Sequence, residues 1–280
     1  MTKDKLCSWE EFKEKIGEIQ RERVELAKKE GAGYVSELLY RGQSDDRWPL
    51  KTTLEREYPG KMEMSRYHQL ILEIKPRIES ATGREWSVPN DKKFSDWIEK
   101  LKPPIFLFDG LPGYKYMVYL RHHGFPSPLL DFTLSPYIAA FFAFRRAKEK
   151  PNKVAIFAFG EFGGESKSHS GDLPLINSLN RNIKTHNRHY IQQSCYTVCT
   201  RKQEEKRYFY ANHEEVLINS RRLNQNQDVI WKFTIPSEEW EKVNDDLKYF
   251  NINSYSLFGS EESLMETIAK EKFAGLNENP

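Results

Sequence analysis

The sequence predicts an α+β protein made as a single domain, its helix-rich N-terminal half packed on a mixed or antiparallel sheet from the C-terminal half. Three observations carry that prediction. Capped segments with helical apolar spacing dominate up to about residue 147. Runs rich in β-branched and aromatic residues dominate after it. No linker, internal repeat or low-complexity tract separates the two.

The elements follow in order. Ser8, with Glu11 three residues later, makes a capping box. Trp9, Phe12, Ile16, Ile19 and Leu26 then recur at helical spacing until Gly31 and Gly33 stop the helix. This N-terminal helix, 1–33, precedes the main domain, 34–280. A short strand over 36–43 carries Arg41, and an irregular link with Pro49 follows. A helix over 62–75 is kinked near Pro76, and another over 94–100 stops at Pro103-Pro104. The stretch 114–123 reads as a helix that delivers His122 at its C-terminal end, with Gly124 as the stop. An extended piece over 128–133 leads to Ser135-Pro136, which opens a buried helix over 137–147. A strand over 153–159 and a loop over 160–171 follow. Strands are expected at 190–199, 215–219, 229–235 and 254–258. Ser237 and Ser260 cap the last two helices.

Composition narrows the class. The 280 residues, 38% hydrophobic and 13% aromatic, suffice for a packed core. A net charge of +2 gives no global case for nucleic acid. Cys7, Cys195 and Cys199 are too few for a disulfide framework, which points to a reducing compartment. The start lacks an apolar signal core, and no apolar run is long enough to span a bilayer. The expectation is a cytoplasmic protein without a membrane partner.

Two groups in the apolar segments are expensive to bury alone: Arg41, and Asp131 between Leu130 and Phe132. If they converge, they form a polar pocket. The Arg41 fork suits phosphate or carboxylate; equally, it pairs with Asp131 and staples the fold. Gly42 would let a ligand approach the backbone, and Gln43 lies on the same strand face as Arg41. His122 near a carboxylate is a general base or a ring fixed in one tautomer. Thr133 and Ser135 bring hydroxyls and free N–H groups to a helix start, an anion site; equally, Asp131 is an Asx-type turn former and Ser135 a plain cap. Gln193 offers its amide to a base or ribose, or to strand backbone.

Cys195, Cys199, His186, His189 and His213 lack zinc-site spacing, so no metal is expected. Basic residues between Arg188 and Arg207 alternate with Tyr190, Tyr196 and Tyr208, but Glu204-Glu205 interrupts them. Nucleic acid is therefore a possible partner but not the favoured one. There is no Walker loop, dinucleotide glycine fingerprint or nucleophile elbow.

Tyr40-Arg41-Gly42-Gln43, followed by Trp48-Pro49-Leu50, resembles the opening signature of the FRG domain, named for its Phe/Tyr-Arg-Gly core. His122, Gly124, Pro126 and Leu129-Leu130-Asp131-Phe132-Thr133 resemble that family's central block, together with Ser135-Pro136 and the Ala139-Ala140-Phe141-Phe142-Ala143 helix. Gln192-Gln193-Ser194-Cys195-Tyr196, Ile235-Pro236 and the segment from Ile252 to Phe258 are similar to its later blocks. The order holds from about residue 34 to 272. This chain departs at Arg121 (usually Gln), His123 (usually aromatic), Ser127-Pro128 (usually Thr-Arg) and Gly259 to Glu262 (usually an acidic turn). The resemblance implies kinship with bacterial and phage proteins of suspected toxic or phage-defence roles. Gly42, Gln43 and Gly124 are expected among the substrate-binding positions.

The motif order is similar to that of ADP-ribosyltransferases as well. Arg41 comes early, Thr133 and Ser135 precede a helix, and Glu214-Glu215 precedes Val216-Leu217-Ile218. That likeness implies NAD as substrate, for ADP-ribosyl transfer or glycohydrolysis. Arg41 would hold phosphate or ribose, Thr133 and Ser135 would line the nicotinamide side, and Glu215 would polarise the ribose hydroxyl. The alternative is a non-enzymatic module that recognises a small molecule or a protein, such as an antitoxin.

Overall fold

The computed structural model describes residues 3–101, 110–145, 152–165, 167, 173–185, 187–204, 207–216 and 227–273. Eight strands form one sheet: β1 (Lys3–Leu6), β2 (Leu39–Gln43), β3 (Leu129–Thr133), β4 (Lys153–Gly160), β5 (Leu175–Ser178), β6 (Ser194–Glu204), β7 (Arg207–Tyr210) and β8 (Val229–Pro236). Their order is β1-β8-β4-β2-β3-β6-β5, with β7 paired to β6. Among the described residues only β1 with β8 is parallel. The helices are α1 (Trp9–Lys28), α2 (Thr53–Glu57), α3 (Met64–Thr82), α4 (Asp91–Lys100), α5 (Tyr114–His122), α6 (Pro136–Phe144), α7 (Asn187–Ile191), α8 (Trp240–Tyr249), α9 (Ser254–Phe258) and α10 (Glu261–Phe273). The α+β class is as the sequence predicts. The sheet, however, takes β1, β2 and β3 from the first half of the chain.

Both faces of the central strands are covered, so β4 is apolar along nearly its whole length rather than alternating. Val154, Ile156 and Ala158 pack with α1, α6 and α8. Ala155, Phe157 and Phe159 pack on the other face with Leu39, Leu130 and Phe132. A further cluster joins α3, α4 and α5 to Leu129, Tyr196 and Val198. The α1 capping box forms as expected, at about 1 kcal/mol. Burial of Trp9 and Phe12, about 2–3 kcal/mol each, holds α1 to the sheet more strongly.

The junction between β2 and β3 is unlike the others. β2 pairs with β4 over five residues, and β3 with β6 over five. β2 and β3 share one pair, Tyr40 with Thr133. Beyond that pair the sheet parts. α6 lies across β2, and Gly42 is what permits it. A Cβ at Gly42 would stand 1.9 Å from the Ala139 carbonyl oxygen and 2.7 Å from the Ala143 nitrogen. Here the glycine makes room for a helix.

Several elements correct the sequence reading. Residues 254–258 are helix, not strand: Asn253 and Ser256 form a capping box, and Gly259 ends it at φ 63°. The strand expected from 190 starts at Ser194, because α7 precedes it. The strand expected at 215–219 is a helical turn over 213–216, started by the Asn212 side chain accepting from the Glu214 amide at 2.7 Å; 217–219 lie outside the described residues. α3 continues through Pro76 to Thr82. Pro103-Pro104 and the end of the 137–147 helix lie outside the described residues.

The fit of α6 on β2 sets a test. Gly42→Ala forces the helix off the strand and lowers the unfolding free energy by about 3 kcal/mol. The expected readout is a lower urea midpoint at unchanged slope; a midpoint equal to wild type would show that α6 can shift without cost.

Candidate functional site

The parting of β2 from β3 opens into a cavity of about 400 Å³, within the range that suits a small ligand. Its wall includes Arg41, Gln43, Trp48, Arg56, Arg121, His122, Asp131, Thr133, Arg188, Gln192, Tyr196 and Phe258. Side chains alternate along a strand. Gly42 faces α6, so Arg41 starts from the opposite face. Asp131 shares the face of Thr133, the cross-strand partner of Tyr40. Arg41 therefore meets Asp131 through the gap. Its Nη1 donates to the Asp131 carbonyl at 2.9 Å and lies 3.0 Å from Oδ2. The guanidinium stands where backbone rungs would otherwise continue.

Arg121, from the last turn of α5, donates to Asp131 Oδ1 at 2.5 Å. One carboxylate thus holds two guanidiniums. Burial alone would raise the Asp131 carboxyl; Arg41 and Arg121 outweigh it and hold the group well below the usual carboxylate range. The Asp131 charge in turn raises Arg121. The Arg41 side chain is 11% exposed and that of Asp131 44%, so the acid presents itself to the cavity. The Nε atoms of Arg41 and Arg121 are buried without a hydrogen-bond partner among the described residues, as is Gln43 Oε1.

His122 reaches the cavity from the end of α5, its Nε2 3.0 Å from the Tyr196 hydroxyl. Burial, then the nearby Asp131 charge, raises the Tyr196 phenol. Thr133 donates to the Gln192 carbonyl at 2.8 Å and accepts from the Ser135 amide. Gln192 donates to the Leu257 carbonyl at 3.0 Å. Arg188 donates to the Phe258 carbonyl at 3.1 Å and lies 5.5 Å from that ring's centre. These two bonds fix α9 against α7 and set Phe258 in the wall.

Of the residues singled out in the sequence, Arg41, Gly42, Gln43, His122, Asp131 and Thr133 come together. Others do not. Ser135 caps α6, its hydroxyl accepting from the Ile138 amide at 3.3 Å. Gly124 follows α5 at φ 84°, away from the cavity wall. Gln193 sits at φ 47° in the turn before β6, and the wall takes Gln192 instead. Glu215 pairs with Arg201 and lines a separate 230 Å³ cleft with Lys51 and Tyr58. It sits on the helical turn that replaced the expected strand, so the assignment of Glu215 to the ribose is corrected. Tyr196 and Tyr208 of the basic-aromatic stretch are buried and cannot stack on bases. Among the described residues no His/Cys/Asp/Glu group could hold a metal, and no helix is long and apolar enough to cross a membrane.

Sequence reasoning missed Arg56, Arg188, Gln192, Tyr196 and Phe258 as site residues. Arg56 on α2 has the pattern of an ordinary exposed position, and nothing local marks it.

The electrostatics predict a pH dependence. The folded Asp131 carboxyl is depressed, so its contribution to stability is complete above the unfolded pKa, about 3.9, and is lost as pH falls from there toward the folded value. Asp131→Asn lowers stability at neutral pH by about 1–2 kcal/mol, a value discounted for the exposure of the acid. It also flattens the loss below about pH 4. Urea midpoints of both proteins between pH 2 and 7 give the measurement; parallel profiles would remove Asp131 as the group responsible.

The FRG domain model matches residues 36–152. No curated protein and no solved structure matches the chain. The matched residues 36–152 are the ones that bring Arg41, Arg56, Arg121, His122 and Asp131 to the cavity, and over that span the chain is similar to the FRG domain.

Proposed function

We propose that the protein is an intracellular effector of the toxin or phage-defence kind whose cavity takes a phosphate-bearing nucleotide, NAD foremost. Four guanidiniums, Arg41, Arg56, Arg121 and Arg188, line the cavity with one carboxylate, Asp131, among the described residues. That imbalance is the observation that carries the reading. A cavity so lined favours a ligand with more than one negative charge, and Trp48, Phe142 and Phe258 in the wall suit a flat ring.

The chemistry is cleavage of the bond between the nicotinamide nitrogen and ribose C1′. Nicotinamide leaves with the bonding pair, and an oxocarbenium-like sugar develops. Water captures it in glycohydrolysis, or an acceptor nucleophile does so in ADP-ribosyl transfer; either loses a proton to a base. Asp131 takes the role that the likeness to ADP-ribosyltransferases implies for Glu215. Its oxygens retain lone pairs beyond those used by Arg41 and Arg121, and the carboxylate stays ionised to face the developing positive charge. His122, beside Tyr196, is the base within the wall.

One observation favours a second reading. Both Asp131 oxygens are engaged by guanidiniums, which suits a rigid recognition pocket without turnover. Incubation with NAD separates the two. Nicotinamide release by the wild type, reduced by at least a hundredfold in Asp131→Asn with the fold intact, supports the enzyme. Saturable NAD binding without release supports the module, and neither binding nor release defeats both.

A further inference from the structure

The geometry points to Arg56, with Arg121, as a phosphate-recognising subsite in the cavity wall that also holds Trp48, so that the ligand is one carrying a phosphate or pyrophosphate group. This deepens the nucleotide reading and rests on the same cavity.

Arg41 and Arg121 spend donors on Asp131. Arg188 is bonded to the Phe258 carbonyl. Arg56 lines the same cavity from α2, and the bond found for it is to the Lys51 carbonyl at 3.0 Å. A guanidinium has five N–H donors, so most of the Arg56 fork is available to a ligand. Burial, then the charges of Arg41 and Arg121, lowers its pKa, whereas Asp131 acts the other way. Three positive groups thus feel one another, and the nearby acids, Asp131 and then Glu55, offset them only in part. An oxyanion placed between Arg56 and Arg121 relieves that repulsion, and the planar forks match phosphate oxygens. Arg56 is exposed, so a ligand reaches it without displacing the Arg41–Asp131 bridge. Trp48, 45% exposed, stands in the same wall and suits a ring attached to the phosphate.

Inorganic pyrophosphate is the first probe, followed by ADP-ribose and, as the phosphate-free control, adenosine. Calorimetric titration compares the wild-type chain with Arg56→Gln and Arg56→Lys. The expected result is pyrophosphate and ADP-ribose binding that weakens with added salt. Arg56→Gln weakens both at least tenfold, and Arg56→Lys, which keeps the charge but loses the fork, falls between. Adenosine binds more weakly than ADP-ribose and is indifferent to Arg56. An unchanged thermal midpoint verifies the fold of each variant.

Equal affinity in Arg56→Gln, no pyrophosphate binding by the wild type, or adenosine binding as tightly as ADP-ribose would each overturn the subsite. Arg56-dependent pyrophosphate binding without nicotinamide release leaves the subsite standing and removes only NAD cleavage. Nicotinamide release insensitive to Arg56 does the reverse.

Discussion

Among the described residues, Arg41 bridges the one junction of the central sheet that is not held by a ladder of backbone hydrogen bonds. β2 and β3 share the single pair Tyr40 and Thr133, and past it the guanidinium reaches both the carbonyl and the carboxylate of Asp131. Burying such a pair costs desolvation that Coulomb attraction only partly returns. In the interior an apolar pair would serve as well. At this seam an apolar pair would leave the Asp131 carbonyl unbonded. The polar bridge both satisfies the backbone and leaves a charged opening.

The remaining site geometry follows from that seam. α6 closes one side because Gly42 lets it sit on β2. α5 ends so that Arg121 and His122 arrive together, one on Asp131 and the other on Tyr196. The C-terminal part contributes through α7 and α9, locked to each other by Arg188 and Gln192. The cavity is therefore composite. The residues of the FRG match supply the Asp131 cluster, while the chain beyond residue 152 supplies Arg188, Gln192, Tyr196 and Phe258.

What was legible in the sequence were groups costly to bury and caps with fixed spacing. Arg41 and Asp131 stood out because apolar neighbours surround them, and Ser8 with Glu11 because a capping box has one geometry. What was not legible depended on tertiary placement. Residues 254–258 carry apolar groups that fit a strand as readily as a helix, and the decisive signal was polar, Asn253 with Ser256. Val216-Leu217-Ile218 is apolar and fits a strand after Glu215 as readily as a helix; the Asn212 cap makes its start helical. At Gly42 the sequence shows that something approaches the backbone closely, but chain neighbours say nothing of whether it is a ligand or a helix. Arg56 was silent because an exposed arginine on a short helix has no local oddity.

The single rung between β2 and β3 divides the sheet into two rafts, β1-β8-β4-β2 and β3-β6-β5 with β7, each firmly laddered within itself. The breadth of the opening is then governed by a handful of side chains rather than by main-chain register. Exchanging those few residues retunes what fits, with neither raft needing to be rebuilt. A fold with this kind of joint can vary its ligand while keeping its architecture.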